Sequence, residues 1–386
     1  MNISCGIVGL PNVGKSTLFN ALLKKQAALA ANYPFATIEP NTGIVPVPDE
    51  RLEKLAELTK EEEKMSQLPP IKPATVEFVD IAGLVKGAAE GAGLGNKFLS
   101  HIREVNVIAH VVRAFEDPDV IREGSVGPKE DYETIQAELI LADIQTLGKV
   151  AENRKIEPAK KSAVEKLLKD LDQGKRAYSV QLTEEEREAI KELFLLTNKP
   201  EVIVLNVDED SLDKSDEIIE RYQQIFSSVI PAKAGIHGSR IKPGMTNGGA
   251  GDHINMIVIC AKIESELAAL SEEEQKEYLA DLGLEKSGLE RLIQKAYQEL
   301  GLISFLTAGE KEVRAWTIKK QTDAPNAAGA IHTDFTKKFI KAEVISFEDY
   351  VGTGGCKKAK ELGKARLEGR DYIVQDGDVI EFKIGA

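Results

Sequence analysis

Apolar residues along the chain recur in two alternating patterns, which together predict a parallel sheet covered by helices. Short runs rich in Ile and Val, each the length of a buried strand, alternate with stretches of helical spacing. A helix is predicted to begin at Lys15, directly after the first strand. This alternation indicates an α/β domain with a mostly parallel sheet. The predicted strands are Ile3–Val8, Gly43–Val47, Thr75–Asp80, Val107–Phe115, Val202–Val207 and Ile254–Ala261.

Two stretches interrupt this alternation. Between about residues 130 and 199, apolar positions take helical spacing over Tyr132–Val150, Ser162–Leu171 and Glu184–Leu196, with dense Lys and Glu between them. We interpret this region as a helical insertion, formed by a long antiparallel hairpin. The second stretch, residues 227–251, contains two prolines and six glycines. A loop of this length is uncommon in a compact domain, so we predict a mobile surface excursion that is dispensable for catalysis.

From Ile303 the pattern changes to that of a small mixed β domain with one helix. Glu312–Ile318 alternates like a strand, and Thr333–Ile340 has helical spacing. The runs Asp371–Val374 and Val379–Ile384 flank a Gln-Asp-Gly-Asp turn, which predicts a β-hairpin. We therefore expect a domain of residues 1–302, which contains both interruptions, and a second domain of residues 303–386.

Composition narrows the class of protein. The 386 residues are 42% hydrophobic and 29% charged, typical of a soluble globular protein, and the net charge is −13. This charge argues against wrapping of nucleic acid over the whole surface, and no DNA partner is expected. Three scattered cysteines predict free thiols in a reducing cytoplasm. No apolar run approaches membrane-spanning length, so no membrane partner is expected.

The segment Gly9–Ser16 reads G-L-P-N-V-G-K-S and is a complete phosphate loop between a predicted strand and a predicted helix. In such a loop, backbone N–H groups and the helix N-terminus surround the phosphates of a nucleotide. Gly9 and Gly14 permit the curl, Lys15 is expected to bridge the β- and γ-phosphates, and Ser16 to bind Mg²⁺.

Three further signals follow in the order that a G-protein-like nucleotide site requires. Asp80-Ile-Ala-Gly83 matches D-x-x-G, in which the Asp reaches Mg²⁺ through water and the Gly N–H meets the γ-phosphate. Thr37 can close over the metal. Cys260-Ala-Lys262 follows the last strand, where a loop that supports the base is expected.

The base-reading motif is altered. Asn206-Val-Asp-Glu209 stands where a guanine-specific protein carries Asn-Lys-x-Asp. The extra methylene of Glu209 displaces the carboxylate that would pair with guanine, whereas the Asn206 amide suits adenine. Unpaired buried polar groups cost about 1–3 kcal/mol each, enough to change base selectivity. We therefore predict an ATPase, with a GTPase of degenerate motif as the alternative.

The whole chain resembles the YchF/Obg-like ATPase family. The resemblance implies a P-loop domain with a helical insertion and a C-terminal TGS domain of ubiquitin-like β-grasp fold. It also implies Mg²⁺-dependent ATP hydrolysis and association with the ribosome. The motifs that carry it are Gly9–Asn20, Asn32–Gly43, Phe78–Gly87, Gly93–Phe98, Lys311–Ile318, Gly329–Phe335 and Asp371–Asp378.

The motifs and the resemblance together indicate roles for individual residues. Lys15, Thr37, Asp80 and Gly83 are expected to serve hydrolysis, and Ser16, Thr37 and Asp80 to hold the metal. The residues expected to bind the nucleotide are Asn12, Val13, Gly14, Lys15, Ser16, Thr17, Asn206, Val207 and Glu209.

The chain departs from the family pattern at two places. Residues 227–251 have no counterpart in it, and Val229–Gly235 resembles translated repeat elements found in some bacterial genes. Family members often carry a His where this chain has Arg122, so a catalytic role for that His does not transfer.

Hydrolysis is expected to be slow. Leu84 stands where Ras-like enzymes place the Gln that orients water, and an apolar side chain cannot do so. A loop, a partner or a monovalent cation must supply what is missing, and the Asn12 amide could help to seat K⁺. We expect the glycine-rich stretch 86–96 to respond to the γ-phosphate.

The last predicted feature is a basic segment. Residues 303–386 carry 14 Lys and Arg against 13 Asp and Glu, although the whole chain is acidic. Such a segment can contact rRNA phosphates, and it can equally be a solvated face. The ATPase is therefore either an enzyme whose turnover is its output or a ribosome-binding switch that hydrolysis resets. The residues of the basic segment are Lys357, Lys358, Lys360, Lys364, Arg366 and Arg370.

Overall fold

The computed structural model describes residues 4–30, 41–81, 93–115, 127–153, 155–227 and 255–385, which form two sheets with helices around them. The strands are β1 (Ser4–Val8), β2 (Thr42–Pro46), β3 (Ile71–Lys72), β4 (Thr75–Asp80), β5 (Val107–Arg113), β6 (Glu201–Asn206), β7 (Met256–Ile259), β8 (Leu302–Ala308), β9 (Val313–Lys319), β10 (Phe339–Ile345), β11 (Arg366–Glu368) and β12 (Val379–Ile384). The helices are α1 (Lys15–Ala30), α2 (Arg51–Glu62), α3 (Gly93–Glu104), α4 (Pro128–Ala151), α5 (Pro158–Leu171), α6 (Glu184–Ile190), α7 (Ser215–Ser227), α8 (Ala261–Leu267), α9 (Glu272–Asp281), α10 (Gly288–Glu299), α11 (Ala324–Ile331), α12 (Thr333–Lys338), α13 (Phe347–Thr353) and α14 (Cys356–Glu361).

The first sheet has the strand order β2-β4-β1-β5-β6-β7. Strands β4, β1, β5, β6 and β7 are parallel, as predicted, and the predicted ends of the six strands are correct to within two residues. The register places Ile7 beside Asp80 and Arg113 beside Asn206. The carboxyl ends of these strands therefore meet at one edge, where open parallel sheets bind their ligands.

Central strands β5 and β6 explain why the sequence pattern is readable here. Every residue of both strands is buried, so the strands appear as apolar runs rather than as alternating ones. The core beside them includes Tyr132, Val207 and Phe226. The prediction of free thiols is also confirmed, because all three cysteines are unpaired.

The helical insertion consists of α4, α5, α6 and short 3₁₀ turns around a core of its own that includes Leu147, Val164 and Leu167. Thr183 forms a capping box with Glu186 at the start of α6, and Pro158 occupies the first turn of α5. The helix predicted over Glu184–Leu196 is wrong in its length. It ends at Ile190, and Phe194 follows a 3₁₀ turn with φ 47°, a left-handed conformation that no α-helix continues through.

Glu201, at the start of β6, joins the helical insertion to the sheet through buried hydrogen bonds. Its carboxylate accepts from Tyr132 Oη at 3.0 Å and from Gln136 Nε2 at 2.9 Å, both on α4. It lies 2.9 Å from His110 Nδ1 and 2.6 Å from an Arg176 guanidinium nitrogen. A single buried carboxylate thus links β5, α4 and the segment after α5.

The second sheet has the strand order β11-β10-β12-β8-β9-β3. β8 and β9 form an antiparallel pair, α11 follows, and β12 lies between β8 and β10, parallel to β8 and antiparallel to β10. This is a β-grasp arrangement, as the family resemblance implies. The apolar face of the sheet packs with Ala324, Ala327 and Ala328 of α11.

The hairpin predicted over residues 371–384 is wrong. Within the first of its two runs, Ile373 makes only an isolated bridge, to Asp323, and β12 pairs with β10 and β8 instead. The buried Asp378 carboxylate accepts from Tyr372 Oη at 2.7 Å and from the Gln375 N–H at 2.8 Å. These bonds shape the connection as a loop whose two arms do not pair.

The chain divides into two compact units, and the division differs from the predicted boundary near residue 302. One unit comprises residues 1–44 and 77–292, and the other comprises residues 45–76 and 293–386. We refer to them as the P-loop unit and the C-terminal unit. Residues 45–76 belong to the C-terminal unit because β3 pairs with β9 and Arg51 of α2 forms an ion pair with Asp376 at 2.8 Å.

Helix α2 also completes the N-terminus of α14. Gly355 precedes α14 and has no side chain to cap it. The Glu62 carboxylate, at the end of α2, accepts hydrogen bonds from the backbone N–H groups of Cys356 and Lys357. Helix α14 therefore takes its cap from a residue almost 300 positions earlier in the chain.

Several predictions concern residues outside the described part of the chain. These include nearly all of the 227–251 excursion, of which only Ser227 is described, at the end of α7. Arg122 is also outside. Of the stretch 86–96, the structure describes the backbone from Gly93, where α3 begins. None of the described helices is both long enough and apolar enough to cross a membrane.

Candidate nucleotide site

The phosphate loop connects β1 to α1 at the carboxyl edge of the first sheet. A side chain at Gly9 would place its Cβ 2.5 Å from the Val111 carbonyl oxygen, so only glycine fits against β5. Gly14 has φ +99°, and a Cβ there would lie 2.3 Å from Asn206 Nδ2. Asn12 adopts φ +61°, which Asn tolerates better than most residues. The predicted roles of both glycines in the curl therefore have a steric basis.

Lys15, the first residue of α1, points back into the loop. Its Nζ donates to the Leu10 carbonyl at 2.6 Å, and the side chain is buried. Burial lowers the pKa of this lysine to about 8, and the nearby Asp80 carboxylate offsets part of that effect. An ammonium held beneath a phosphate loop and poorly solvated gains strongly from an anion. Leu10, whose carbonyl holds the lysine, was not among the predicted site residues.

Asp80 ends β4 beside Lys15. Burial raises the pKa of its carboxyl group, and the Lys15 ammonium partly counters this. Its Oδ1 is buried without a hydrogen-bond partner among the described residues. A buried acceptor of this kind is suited to a water molecule or to a ligand of a metal ion.

The residues at this end fit Mg²⁺. Ser16 and Thr17 are exposed at the start of α1, and Asp80 supplies a carboxylate with an unused oxygen. Mg²⁺ in nucleotide sites takes one or two protein oxygens together with phosphates and water. No group of three or more His, Cys, Asp or Glu side chains in the described ranges could hold a metal alone. Thr37 and Gly83, also predicted for this site, lie outside those ranges.

Asn206, the last residue of β6, joins the phosphate loop to the base end of the site. Its Nδ2 donates to the Val13 carbonyl at 2.9 Å, and its Oδ1 accepts from the Ala261 N–H at 2.9 Å. The side chain is only 6% exposed. The carboxamide thus connects three segments: the phosphate loop, the end of β6 and the start of α8. One N–H and one oxygen lone pair remain for a base.

Val207 and Glu209, which are also predicted to bind the nucleotide, lie in different environments. Val207 is buried, its side chain belongs to the core, and its N–H donates to the Ile259 carbonyl at 2.9 Å. Glu209 begins a 3₁₀ turn and forms an ion pair with Lys262 of α8 at 3.7 Å. Both charged side chains are substantially exposed. The two loops predicted to surround the base therefore contact each other through this pair.

The basic segment is largely neutralised by its surroundings. Lys357 pairs with Glu63, Lys360 with Glu343, and Lys364 with Asp349, at 2.8–3.0 Å. Arg366 lies 3.8 Å from both Asp378 and Glu368, and Arg370 donates to a backbone carbonyl. Of the six residues, Lys358 and Arg370 have no carboxylate partner among the described residues. The positive charge that the sequence concentrates here is therefore weaker than it appears.

Comparison with known proteins gives matches along the whole chain. Residues 4–147 match a family described as "50S ribosome-binding GTPase", and residues 302–385 match YchF-GTPase_C, described as "Protein of unknown function (DUF933)". A protein described as "Ribosome-binding ATPase YchF" in Bacillus subtilis is 48% identical over 392 residues, 99% of each chain. The protein of the same description in Escherichia coli O157:H7 is 46% identical over 391 residues, again 99% of each chain.

A solved structure extends the similarity to the fold. The structure of the Schizosaccharomyces pombe YchF GTPase matches with a TM-score of 0.81 at 34% identity. The match covers 99% of this chain and 98% of the other. Sequence and fold therefore agree over both compact units.

Proposed function

Because the chain belongs to the YchF family, we propose that it is a cytoplasmic, Mg²⁺-dependent P-loop ATPase that associates with the ribosome. In this proposal the bound nucleotide sets the state of a switch that acts in translation or in stress responses. In the alternative, the chain is a nucleotide-gated ribosome-binding module and hydrolysis is incidental. The two hypotheses differ only in whether turnover matters for function.

The observation that carries the proposal is the buried Lys15 ammonium beneath the phosphate loop, with the partly buried Asp80 carboxylate near it. A cation for the phosphates and a carboxylate with an unused oxygen lie together at the carboxyl edge of the sheet. Mg²⁺, held by Ser16, Thr37 and Asp80, would neutralise charge on the phosphates when bound. Lys15 would leave the Leu10 carbonyl to bridge the β- and γ-phosphates, so that the chain positions the phosphates and compensates their charge.

The choice of base is the part on which the relatives' descriptions disagree. The bacterial proteins are described as ATPases, whereas the fission yeast structure is described as a GTPase. We favour ATP because Glu209 is longer than the Asp that pairs with guanine and is engaged with Lys262. The remaining donor and acceptor of Asn206 suit adenine N7 and the adenine amine.

Equilibrium binding of Mg²⁺-ATP and Mg²⁺-GTP in potassium buffer tests this choice. We expect ATP to bind at least about tenfold more tightly, a difference of about 1.4 kcal/mol. Glu209→Asp should narrow the gap, because it restores the shorter carboxylate while Asn206 stays in place. Val207→Lys is unsuitable as a partner variant, since position 207 is buried in the core. Equal or GTP-favoured binding by the wild-type chain would return it to the GTPases.

Turnover is proposed to be slow and to depend on a monovalent cation. Leu84, which lies outside the described residues, replaces the Gln that orients water in Ras-like enzymes. Asn12, in its left-handed conformation within the loop, could help to seat K⁺ near the phosphates. Steady-state hydrolysis should then be faster in K⁺ than in Na⁺, and the difference should disappear in Asn12→Ala. Equal rates in both cations would refute the role of K⁺.

Ribosome association is proposed from the bacterial relatives, which are described as ribosome-binding. Cosedimentation of the full chain with purified ribosomes, in a non-hydrolysable ATP analogue and in ADP, tests it directly. A switch predicts binding that differs between the two nucleotides. Binding that is identical in both would leave a ribosome-associated ATPase without nucleotide control, and no binding in either would remove the ribosome from the proposal.

A further inference from the structure

Glu264 of α8 is a buried carboxylate that has no part in holding the phosphates or the metal. The residue is only 4% exposed. Its carboxylate accepts hydrogen bonds from the backbone N–H groups of Gly288 at 2.7 Å and Leu289 at 3.2 Å. These are the first two residues of α10, and a negative charge is favourable at the N-terminus of a helix. The two hydrogen bonds therefore fasten α8 to the start of α10, within the P-loop unit.

Helix α10 also has a local cap of its own. The Ser287 hydroxyl accepts from the Glu290 N–H at 3.2 Å, and the Glu290 carboxylate accepts from the Ser287 N–H at 3.2 Å. This reciprocal arrangement is a capping box, which marks the start of many helices. Helix α10 can therefore begin through bonds between neighbours in the chain, and the contact from Glu264 adds a link to α8.

The close approach of the two helices depends on glycine at position 288. A Cβ at Gly288 would lie 2.9 Å from Glu264 Oε1 and 2.9 Å from Cγ1 of Ile259, the last residue of β7. Alanine favours helix formation over glycine, so helix propensity alone does not explain a glycine here. The glycine allows α8 and β7 to pack directly against the start of α10.

Arg291 holds α10 against the sheet without help from α8. Its guanidinium donates to the Val258 carbonyl at 2.9 Å, on the edge strand β7. The buried side chains of Leu289 and Leu292 add apolar packing on the same helix. The start of α10 is thus fixed on the sheet, and Glu264 attaches α8 to this fixed point.

The first turn of α8 carries groups of the base end of the site. The Ala261 N–H donates to Asn206 Oδ1 at 2.9 Å. The next residue, Lys262, pairs with Glu209. Helix α8 has only seven residues, and so short a helix depends on tertiary contacts for its stability and its direction. A change in the direction of α8 would therefore move both contacts, and Glu264 lies less than one turn after them.

We propose that Glu264 is a positioning residue for base recognition, which sets the direction of α8 and thereby the orientation of the Asn206 carboxamide. This proposal rests on the proposed function, which places a nucleotide base at Asn206. The second hydrogen bond of the carboxamide, from Nδ2 to the Val13 carbonyl, does not involve α8. Loss of the Glu264 contact should therefore weaken binding of the base and leave binding of the phosphates unchanged.

The test compares the affinity of the full chain for Mg²⁺-ATP with its affinity for Mg²⁺-tripolyphosphate, which has three phosphate groups and no base. Two variants break the contact from opposite sides. Glu264→Ala removes the carboxylate, and Gly288→Ala places a methyl group between the two helices. Ser287→Ala is the matched control, because it removes the local cap of α10 and keeps the link to α8. Calorimetry measures both ligands with each protein.

We expect Glu264→Ala and Gly288→Ala to bind ATP about tenfold more weakly, which is the loss expected when one hydrogen bond to the base is misplaced. Their affinity for tripolyphosphate should change by less than about twofold. Ser287→Ala should bind both ligands like the wild type. Glu264→Gln should lie between the wild type and Glu264→Ala, because its amide oxygen can still accept from an N–H of α10.

Three outcomes would overturn the proposal. The first is unchanged ATP affinity in both Glu264→Ala and Gly288→Ala. The second is an equal loss for ATP and tripolyphosphate, which would show that Glu264 stabilises the whole site. The third is an equal loss of ATP affinity in Ser287→Ala, which would assign the effect to the stability of α10.

Failure of the proposed function gives a different result. If the wild-type chain binds GTP as tightly as ATP or more tightly, the proposed preference for ATP fails. The role of Glu264 then stands if the variants lose affinity for GTP and keep their affinity for tripolyphosphate, and it falls if they lose neither.

Discussion

Removal of the Asn206 side chain tests whether the base end of the site is assembled before a nucleotide arrives. In Asn206→Ala, the Val13 carbonyl loses its donor and the Ala261 N–H loses its acceptor, each at a distance of 2.9 Å in the wild type. Both residues are buried. An unsatisfied buried group costs about 1–3 kcal/mol, so the two together set an upper range of about 2–6 kcal/mol.

The lower end of this range is expected because removal of the amide leaves a polar space in which water can replace part of what the amide supplies. A loss of about 2 kcal/mol should speed amide exchange in α8 and in the phosphate loop by about 30-fold in the nucleotide-free chain. Hydrogen exchange followed by mass spectrometry is the appropriate assay. The single tryptophan, Trp316, lies in the C-terminal unit and does not report on this site.

Two further variants sharpen the comparison. Asn206→Asp keeps an oxygen for the Ala261 N–H but places a carboxylate against the Val13 carbonyl, so α8 should stay protected while the phosphate loop loosens. Glu209→Ala breaks only an exposed ion pair with Lys262, worth less than about 1 kcal/mol, and serves as the control. If Asn206→Ala exchanges like the wild type without nucleotide, the Asn206 amide does not hold the phosphate loop and α8 in place.

Four other predictions concern Lys15, Glu62 and Glu201. The pKa of Lys15 is about 8, and bound phosphates should raise it, so ATP binding should take up a proton. The affinity for ATP should therefore fall about tenfold between pH 7 and pH 9. Calorimetry in two buffers of different ionisation enthalpy measures the proton uptake, and no uptake at pH 8.5 would refute the prediction. Without nucleotide the same lowered pKa should make stability rise with pH from about 8 to 10.5, since the unfolded chain holds that proton more tightly. Glu62→Ala should destabilise the C-terminal unit by about 0.5–2 kcal/mol because α14 loses its cap. The control Glu63→Ala, which loses only an exposed ion pair with Lys357, should destabilise it by less than about 0.5 kcal/mol. Urea denaturation followed by tryptophan fluorescence measures both, and equal effects would contradict the capping role. Glu201→Gln should lower the free energy of unfolding by about 3–5 kcal/mol, because the largely buried Arg176 guanidinium loses its counter-charge. Hydrogen exchange of the α4 amides should become faster, and unchanged exchange there would contradict the role of Glu201 in holding α4 on the sheet.

The sequence was sufficient where the physical cause is local. The phosphate loop is contiguous, so the turn between β1 and α1 could be predicted from the order of its residues alone. Strands β5 and β6 are buried on both faces, and burial of that kind produces apolar runs that a single sequence displays. The capping box at Thr183 is equally local, since both of its hydrogen bonds join residues three positions apart.

Prediction failed where partners are distant in the chain. The acidic partners of the basic segment include Glu63 and Glu343, whose positions beside it no sequence pattern indicates. The two contacts of the Asn206 amide join positions 193 and 55 residues away, so its structural role could not be inferred from the motif. The same applies to the pairing of β3 with β9, which transfers residues 45–76 to the C-terminal unit.

The membership of residues 45–76 in the C-terminal unit has a consequence for synthesis of the protein. Residues 45–76 leave the ribosome early, but β9, their partner in the sheet, is translated roughly 240 residues later. At about 5–20 residues per second, α2 and β3 must wait about 12–50 s before the strand they pack with exists. During that interval the apolar face of α2, including Leu52 and Leu55, is without its final cover. The order of synthesis thus leaves this segment accessible to chaperones. If translation stalls before β9 is made, α2 and β3 remain an unpaired segment between β2 and β4.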